Sequence, residues 1–134
     1  MSSWSKQPVI ANNAPKAIGP YSVAVKAGPF LFVSGQLGLD PATGDLVSGG
    51  VAAETRQALT NLKAILEAAG CGLDAVVKTT VFLRDMGEFS TMNQVYNEFF
   101  AQNPPARSAI QAAALPRGAA VEIEAIALLP EDEG

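Results

Sequence analysis

Arg107 follows Pro104-Pro105-Ala106, and Glu122 stands fifteen residues further on, with Glu124 two beyond it, in an otherwise apolar C-terminal third. These positions read as buried strands, and a buried charge needs a partner or a job. A guanidinium is a planar, permanently charged fork that matches a carboxylate, and a glutamate can align a water and carry protons. Small anionic substrates would supply the job. Two residues apart on a strand, Glu122 and Glu124 face the same way at roughly 7 Å, so each can raise the other's pKa. On residue types alone the alternatives stay open: Arg107 also fits an interface ion pair, and the two glutamates also fit the solvated face of an edge strand.

The chain has no histidine, which removes the usual general base, the usual zinc ligand and the middle member of a Ser-His-Asp triad. Acid–base work falls to carboxylates, tyrosine or lysine. The single cysteine, Cys71, rules out an internal disulfide and a multi-cysteine metal or iron–sulfur site, and between Gly70 and Gly72 it reads as a turn thiol. A net charge of −4, a pI near 4.7 and the lack of any Lys/Arg cluster argue against a nucleic-acid partner. The opening residues lack the apolar core of a secretory signal, and no apolar run approaches the ~20 residues of a membrane span, so a cytoplasmic protein without membrane partners is expected.

At 134 residues the chain fits one domain, and 49% hydrophobic against 16% charged residues is more apolar than one soluble subunit needs. Tyr21 to Ala27 and Phe30 to Gln36 are β-rich and separated by Gly28-Pro29, which reads as a hairpin; Asp40 to Gly44 is a turn. From Val51 to Ala69, the residues Leu59, Leu62, Leu66 and Ala69 follow helical spacing, Lys63 and Glu67 pair on the surface, and Gly70 ends the helix. A strand over Val76–Leu83 follows. Asp85 to Glu88 resembles a capping signal for a second helix that carries Phe89, Met92, Tyr96, Phe99 and Phe100 on one side and stops at Pro104-Pro105. Two more strands, 108–113 and 120–128, are joined by Leu115-Pro116-Arg117-Gly118, and the tail Glu131-Asp132-Glu133 is expected to fray.

The order β-β-α-β-α-β-β predicts an α+β fold whose two helices cover one face of the sheet. Segments such as Phe30-Leu31-Phe32-Val33 are apolar on both faces, so the second face needs a cover, and another copy of the chain is the economical one.

Five ordered blocks, Ala14 to Tyr21, Val33 to Gln36, Val77 to Phe82, Pro105 to Ser108 and Val121 to Ala127, closely resemble the reactive intermediate deaminase (RidA) family over residues 8 to 129. The resemblance implies a chorismate-mutase-like subunit with a mixed sheet, and a homotrimer whose sheets close a central barrel. Sites would lie in clefts between subunits. It also implies hydrolysis of 2-imino acids, formed from 2-aminoacrylate or 2-aminocrotonate, to 2-oxo acids and ammonia, with no cofactor.

Residue by residue, the resemblance makes Arg107 the carboxylate receptor and Glu122, rather than Glu124, the catalytic glutamate. Tyr21 matches the site tyrosine, and Ser34 and Gly35 match a loop whose backbone approaches the ligand. Asn93 matches a polar cleft residue, Phe89 an apolar wall, and Ala109 stands where several relatives carry cysteine, which excludes thiol chemistry there. Two other functions compete with the deaminase: a non-catalytic trimer that binds 2-oxo acids through Arg107, and an endoribonuclease or translation inhibitor, which the acidic pI and missing histidines disfavour.

Overall fold

A computed structural model describes residues 5–131. One six-stranded sheet runs in the order β1-β2-β3-β6-β4-β5, built from β1 (Lys6–Val9), β2 (Ala24–Ala27), β3 (Phe30–Gln36), β4 (Val76–Leu83), β5 (Ala106–Gln111) and β6 (Val121–Leu128). Two helices, α1 (Gly50–Ala68) and α2 (Phe89–Phe99), complete the α+β fold. All pairings are antiparallel except β4–β5, whose parallel register needs the crossover that α2 supplies. Among the described residues, no helix is long and apolar enough to cross a membrane.

The strand pattern of β6 divides the molecule. Val121, Ile123, Ala125 and Ala127 are buried toward the helices, while Glu122, Glu124, Ile126 and Leu128 point to the opposite, uncovered face. That uncovered face also carries Phe30 and Phe32 of β3 and Ile110 of β5, all exposed. The helix side holds the core: Leu59, Leu62, Ile65 and Leu66 of α1 and Met92 of α2 close over Leu31, Val81, Leu83 and Ile123.

Local signals act where the sequence placed them. Gly28 takes φ 58° in the β2–β3 hairpin and Gly70 takes φ 93° after α1, both in the left-handed region that glycine adopts without strain. The Asp85 carboxylate accepts from the Gly87 N–H at 2.9 Å and caps a short 3₁₀ turn that leads into α2.

Four expectations need correction. The order begins with an extra strand, β1, which is short, polar and carries Pro8, features that weaken a strand signal but suit a sheet edge. β2 starts at Ala24, because residues 19–23 form a bent loop with Tyr21 N–H donating to the Gly19 carbonyl at 2.8 Å. β5 spans Ala106–Gln111, not 108–113, since β4 offers a parallel partner from Lys78 onward and extended backbone begins directly after Pro105. The Lys63–Glu67 pair is absent from the ion pairs of the described residues, as an exposed pair gains too little to hold both chains. The end of the acidic tail, Asp132 and Glu133, lies outside the described residues.

Candidate functional site

The eight residues singled out by sequence fall into two groups. Tyr21, Ser34, Gly35 and Glu122 share a cavity of about 480 Å³ with Glu124, Lys16 and Arg117 on its walls. Arg107 instead lines a groove against α2 with Asn93, Tyr96, Pro104 and Pro105. Phe89 reaches Arg107 from the start of α2, and Ala109 lies two residues along β5 on the same face, half-buried against the core.

In the first group, Glu122 lies across Gly35. A Cβ at position 35 would stand 2.7 Å from Glu122 Cδ and 2.9 Å from Cγ, and closer still to Oε2, so only glycine leaves room for the carboxylate. Burial pushes the Glu122 carboxyl above the usual glutamate range, and the neighbouring Glu124 charge adds to it. Ser34 Oγ donates to the Ser22 carbonyl at 2.6 Å and so ties the Tyr21 loop to β3. Tyr21 itself is 51% exposed and lines the cavity.

Helix α1 fixes this cavity from behind. Asn61 Nδ2 donates to the carbonyls of Leu37 and Leu39 at 3.2 and 2.9 Å, which orders the loop after β3. The buried Glu54 carboxylate accepts from the Ala120 N–H at 2.8 Å, and the Ala120 carbonyl accepts from Arg84 N–H at 2.9 Å. Strand β6 is therefore clamped two residues before Glu122. Arg117, at φ 63°, donates to the Gly44 carbonyl at 2.8 Å and closes one side.

In the second group, the Arg107 guanidinium lies 4.7 Å from the Tyr96 ring centroid and 5.4 Å from that of Phe89, and Nη1 donates to Asn93 Oδ1 at 2.7 Å. Asn93 and Tyr96, three apart, sit on one helix face. Sequence reasoning placed Asn93 near a ligand and Tyr96 in the core; the structure puts both against the arginine. The i,i+3 spacing of Asn93 and Tyr96 was the available signal.

The two groups do not meet. Arg107 pairs in register with Thr79, which pairs with Ala125, so all three face the helices. Glu122 pairs with Phe82 and faces away. Within one chain a small molecule bound to Arg107 has the sheet between it and Glu122. Cys71 is a half-buried turn thiol whose pKa is raised by burial and then by Asp74, which disfavours its thiolate form. Among the described residues, no cluster of His, Cys, Asp and Glu is arranged to hold a metal ion.

The raised Glu122 carboxyl has a measurable consequence. Folding favours its protonated form, so that stability is fully present below the ordinary glutamate pKa and is lost as pH rises through the elevated one. Glu122→Gln is therefore expected to melt above the wild type near neutrality, with the gap closing as pH falls through the glutamate range. Thermal unfolding across pH 3–8 checks it; a variant that melts lower at neutrality would mean that the carboxylate is not desolvated.

Comparison with known proteins adds the following. A family model described as endoribonuclease L-PSP matches residues 11–129. A RutC family protein of Pyrococcus horikoshii is 53% identical, over 91% of this chain and 97% of its own. A human protein named 2-iminobutanoate/2-iminopropanoate deaminase is 52% identical, over 96% of this chain and 93% of its own. The crystal structure of E. coli TdcF with bound serine superposes with a TM-score of 0.88 at 40% identity, covering 92% of this chain and 99% of that one.

Proposed function

From the premise that the chain belongs to the endoribonuclease L-PSP family, to which the RidA resemblance pointed, we propose that it is a 2-iminobutanoate/2-iminopropanoate deaminase. The observation that carries this reading is the presence, on opposite faces of the sheet, of an orientated guanidinium and a half-buried glutamate of raised pKa, in a chain with no histidine. Imine hydrolysis needs a carboxylate receptor, a positioned water and one group that both takes and gives a proton. A carboxyl whose pKa is lifted toward neutrality does both.

In this mechanism Arg107 pairs with the substrate carboxylate, with Phe89 walling the short side chain. Glu122 aligns water on C2 of the imine. The water oxygen bonds to C2 of the protonated imine as one water proton passes to the Glu122 carboxylate, giving a neutral carbinolamine. Glu122 then returns that proton to nitrogen; as the C–N bond breaks, the hydroxyl oxygen forms the C=O bond and its proton passes through Glu122 to the departing ammonia, so a 2-oxo acid and ammonium leave and the carboxylate is restored. Tyr21 supplies a hydroxyl in the cavity and the Ser34–Gly35 backbone a close wall, as the wedge of Glu122 over Gly35 favours. Ala109 contributes nothing beyond its main chain.

The opposite facing of Arg107 and Glu122 favours a site completed by a second copy of the chain, which would present its Glu122 cavity to the Arg107 groove of its neighbour. The apolar uncovered face fits the homotrimer and central barrel that the resemblance implies. The human relative's name accords with the activity, whereas the family description as endoribonuclease meets a chain of net charge −4 without histidine. A cytoplasmic location is part of this proposal.

The test is competition with semicarbazide for 2-imino acids generated by an amino-acid oxidase. Wild type is expected to suppress semicarbazone formation. Arg107→Ala is expected to lose at least about tenfold in kcat/KM, and Glu122→Gln roughly 10²–10⁴-fold. A wild type that binds 2-oxobutanoate through Arg107 yet never competes would be a binding protein, not a deaminase.

A further inference from the structure

We propose that Tyr96 and Thr79 are positioning residues for Arg107: a buried pair of hydroxyls fixes an aromatic ring, and the ring sets the plane in which the guanidinium meets a carboxylate. The inference rests on the reading of Arg107 as carboxylate receptor.

Thr79 Oγ1 and Tyr96 OH lie 2.7 Å apart, with Thr79 0% and Tyr96 6% exposed. Packing alone does not call for this pair. Valine and phenylalanine would fill the same volumes without two hydroxyls that must be desolvated and satisfied by each other. The pair does link two elements at one point. Thr79 is the β4 residue in register with Arg107 on β5, and Tyr96 comes from α2 above both.

The ring so fixed lies beneath the guanidinium, with Arg107 Cζ 4.7 Å from its centroid. Asn93, one turn earlier on α2, accepts from Nη1 at 2.7 Å and sets the rotation about the remaining axis. Among the described residues no other acceptor takes an Arg107 N–H, so the rest of the fork is left for a ligand. Burial holds the Tyr96 phenol protonated, against smaller opposing effects of Thr79 and Arg107, so the ring offers the guanidinium a π-face rather than a competing charge. A planar carboxylate is recognised through two parallel hydrogen bonds, and a tilted fork loses one of them.

The test measures binding of 2-oxobutanoate and of its uncharged amide, 2-oxobutanamide, by calorimetry. In Tyr96→Leu the Kd for 2-oxobutanoate is expected to rise roughly tenfold, while that for the amide stays unchanged. Tyr96→Phe and Thr79→Val each remove one hydroxyl but keep the ring and the core volume. Each is expected to weaken 2-oxobutanoate roughly two- to fivefold, and the double variant no further than either alone. A merely structural role would weaken both ligands alike. If these variants fold and keep the wild-type preference for the charged ligand while Arg107→Ala loses it, the positioning role is wrong and the receptor stands. If Arg107→Ala keeps that preference, the receptor reading falls and this inference with it.

Discussion

Arg107→Ala and Glu122→Gln chains, each impaired at least about tenfold when purified alone, are expected to recover imine hydrolysis when unfolded together and refolded as an equal mixture. The reason is the sheet itself. In one chain the strands that carry these residues hold them on opposite faces, through the registers Arg107–Thr79–Ala125 and Glu122–Phe82. On the proposed deaminase reading, a working site takes its arginine from one copy and its glutamate from the next. In a closed ring of identical contacts, random mixing gives about a quarter of the clefts an intact Arg107 from a Glu122→Gln chain and an intact Glu122 from an Arg107→Ala chain. Activity should approach about a quarter of wild type, against a loss of at least tenfold for either variant alone. Differently tagged chains and native mass spectrometry would establish that mixed assemblies form. If they form and remain inactive, the site is not shared between copies.

The second large effect is expected from the smallest change, Gly35→Ala. Position 35 shows no left-handed backbone, so alanine meets no conformational penalty there; what it meets is the Glu122 side chain, with Cδ 2.7 Å and Cγ 2.9 Å from the new methyl. The clash falls on a flexible side chain, which swings aside, and the strand persists. Catalysis does not tolerate the same movement, because displacing a reacting group by about 1 Å costs on the order of 10²-fold. Hydrolysis should fall by about that factor with thermal stability nearly unchanged. Unaltered kcat in the Gly35→Ala protein would show that the seat of Glu122 over this glycine does not matter to the reaction.

Periodicity made much of this molecule legible. β4 runs over Val76–Leu83 as its run of β-formers suggests, and α1 buries the leucines whose spacing marked it. The doubly apolar β3 correctly pointed to a sheet with one face uncovered. What stayed hidden depends on register. Alternation tells which residues of one strand share a face, but not how that strand aligns with a neighbour distant in sequence. Nothing in the spacing of Arg107 and Glu122 reveals that the sheet separates them. Tyr96 likewise reads as core until pairing brings Thr79, its hydroxyl partner, beside Arg107. β1 escaped because four residues, two of them polar and one a proline, form a strand only when β2 offers an edge.

The uncovered face bears on the life of the chain before it does any chemistry. A newly made copy displays Phe30, Phe32, Ile110 and Leu128 to every protein around it, and apolar surface of that kind sticks indiscriminately. On the proposed reading, in which another copy covers this face, the hazard lasts from folding until encounter, so the rate at which copies find one another sets how long each stays exposed.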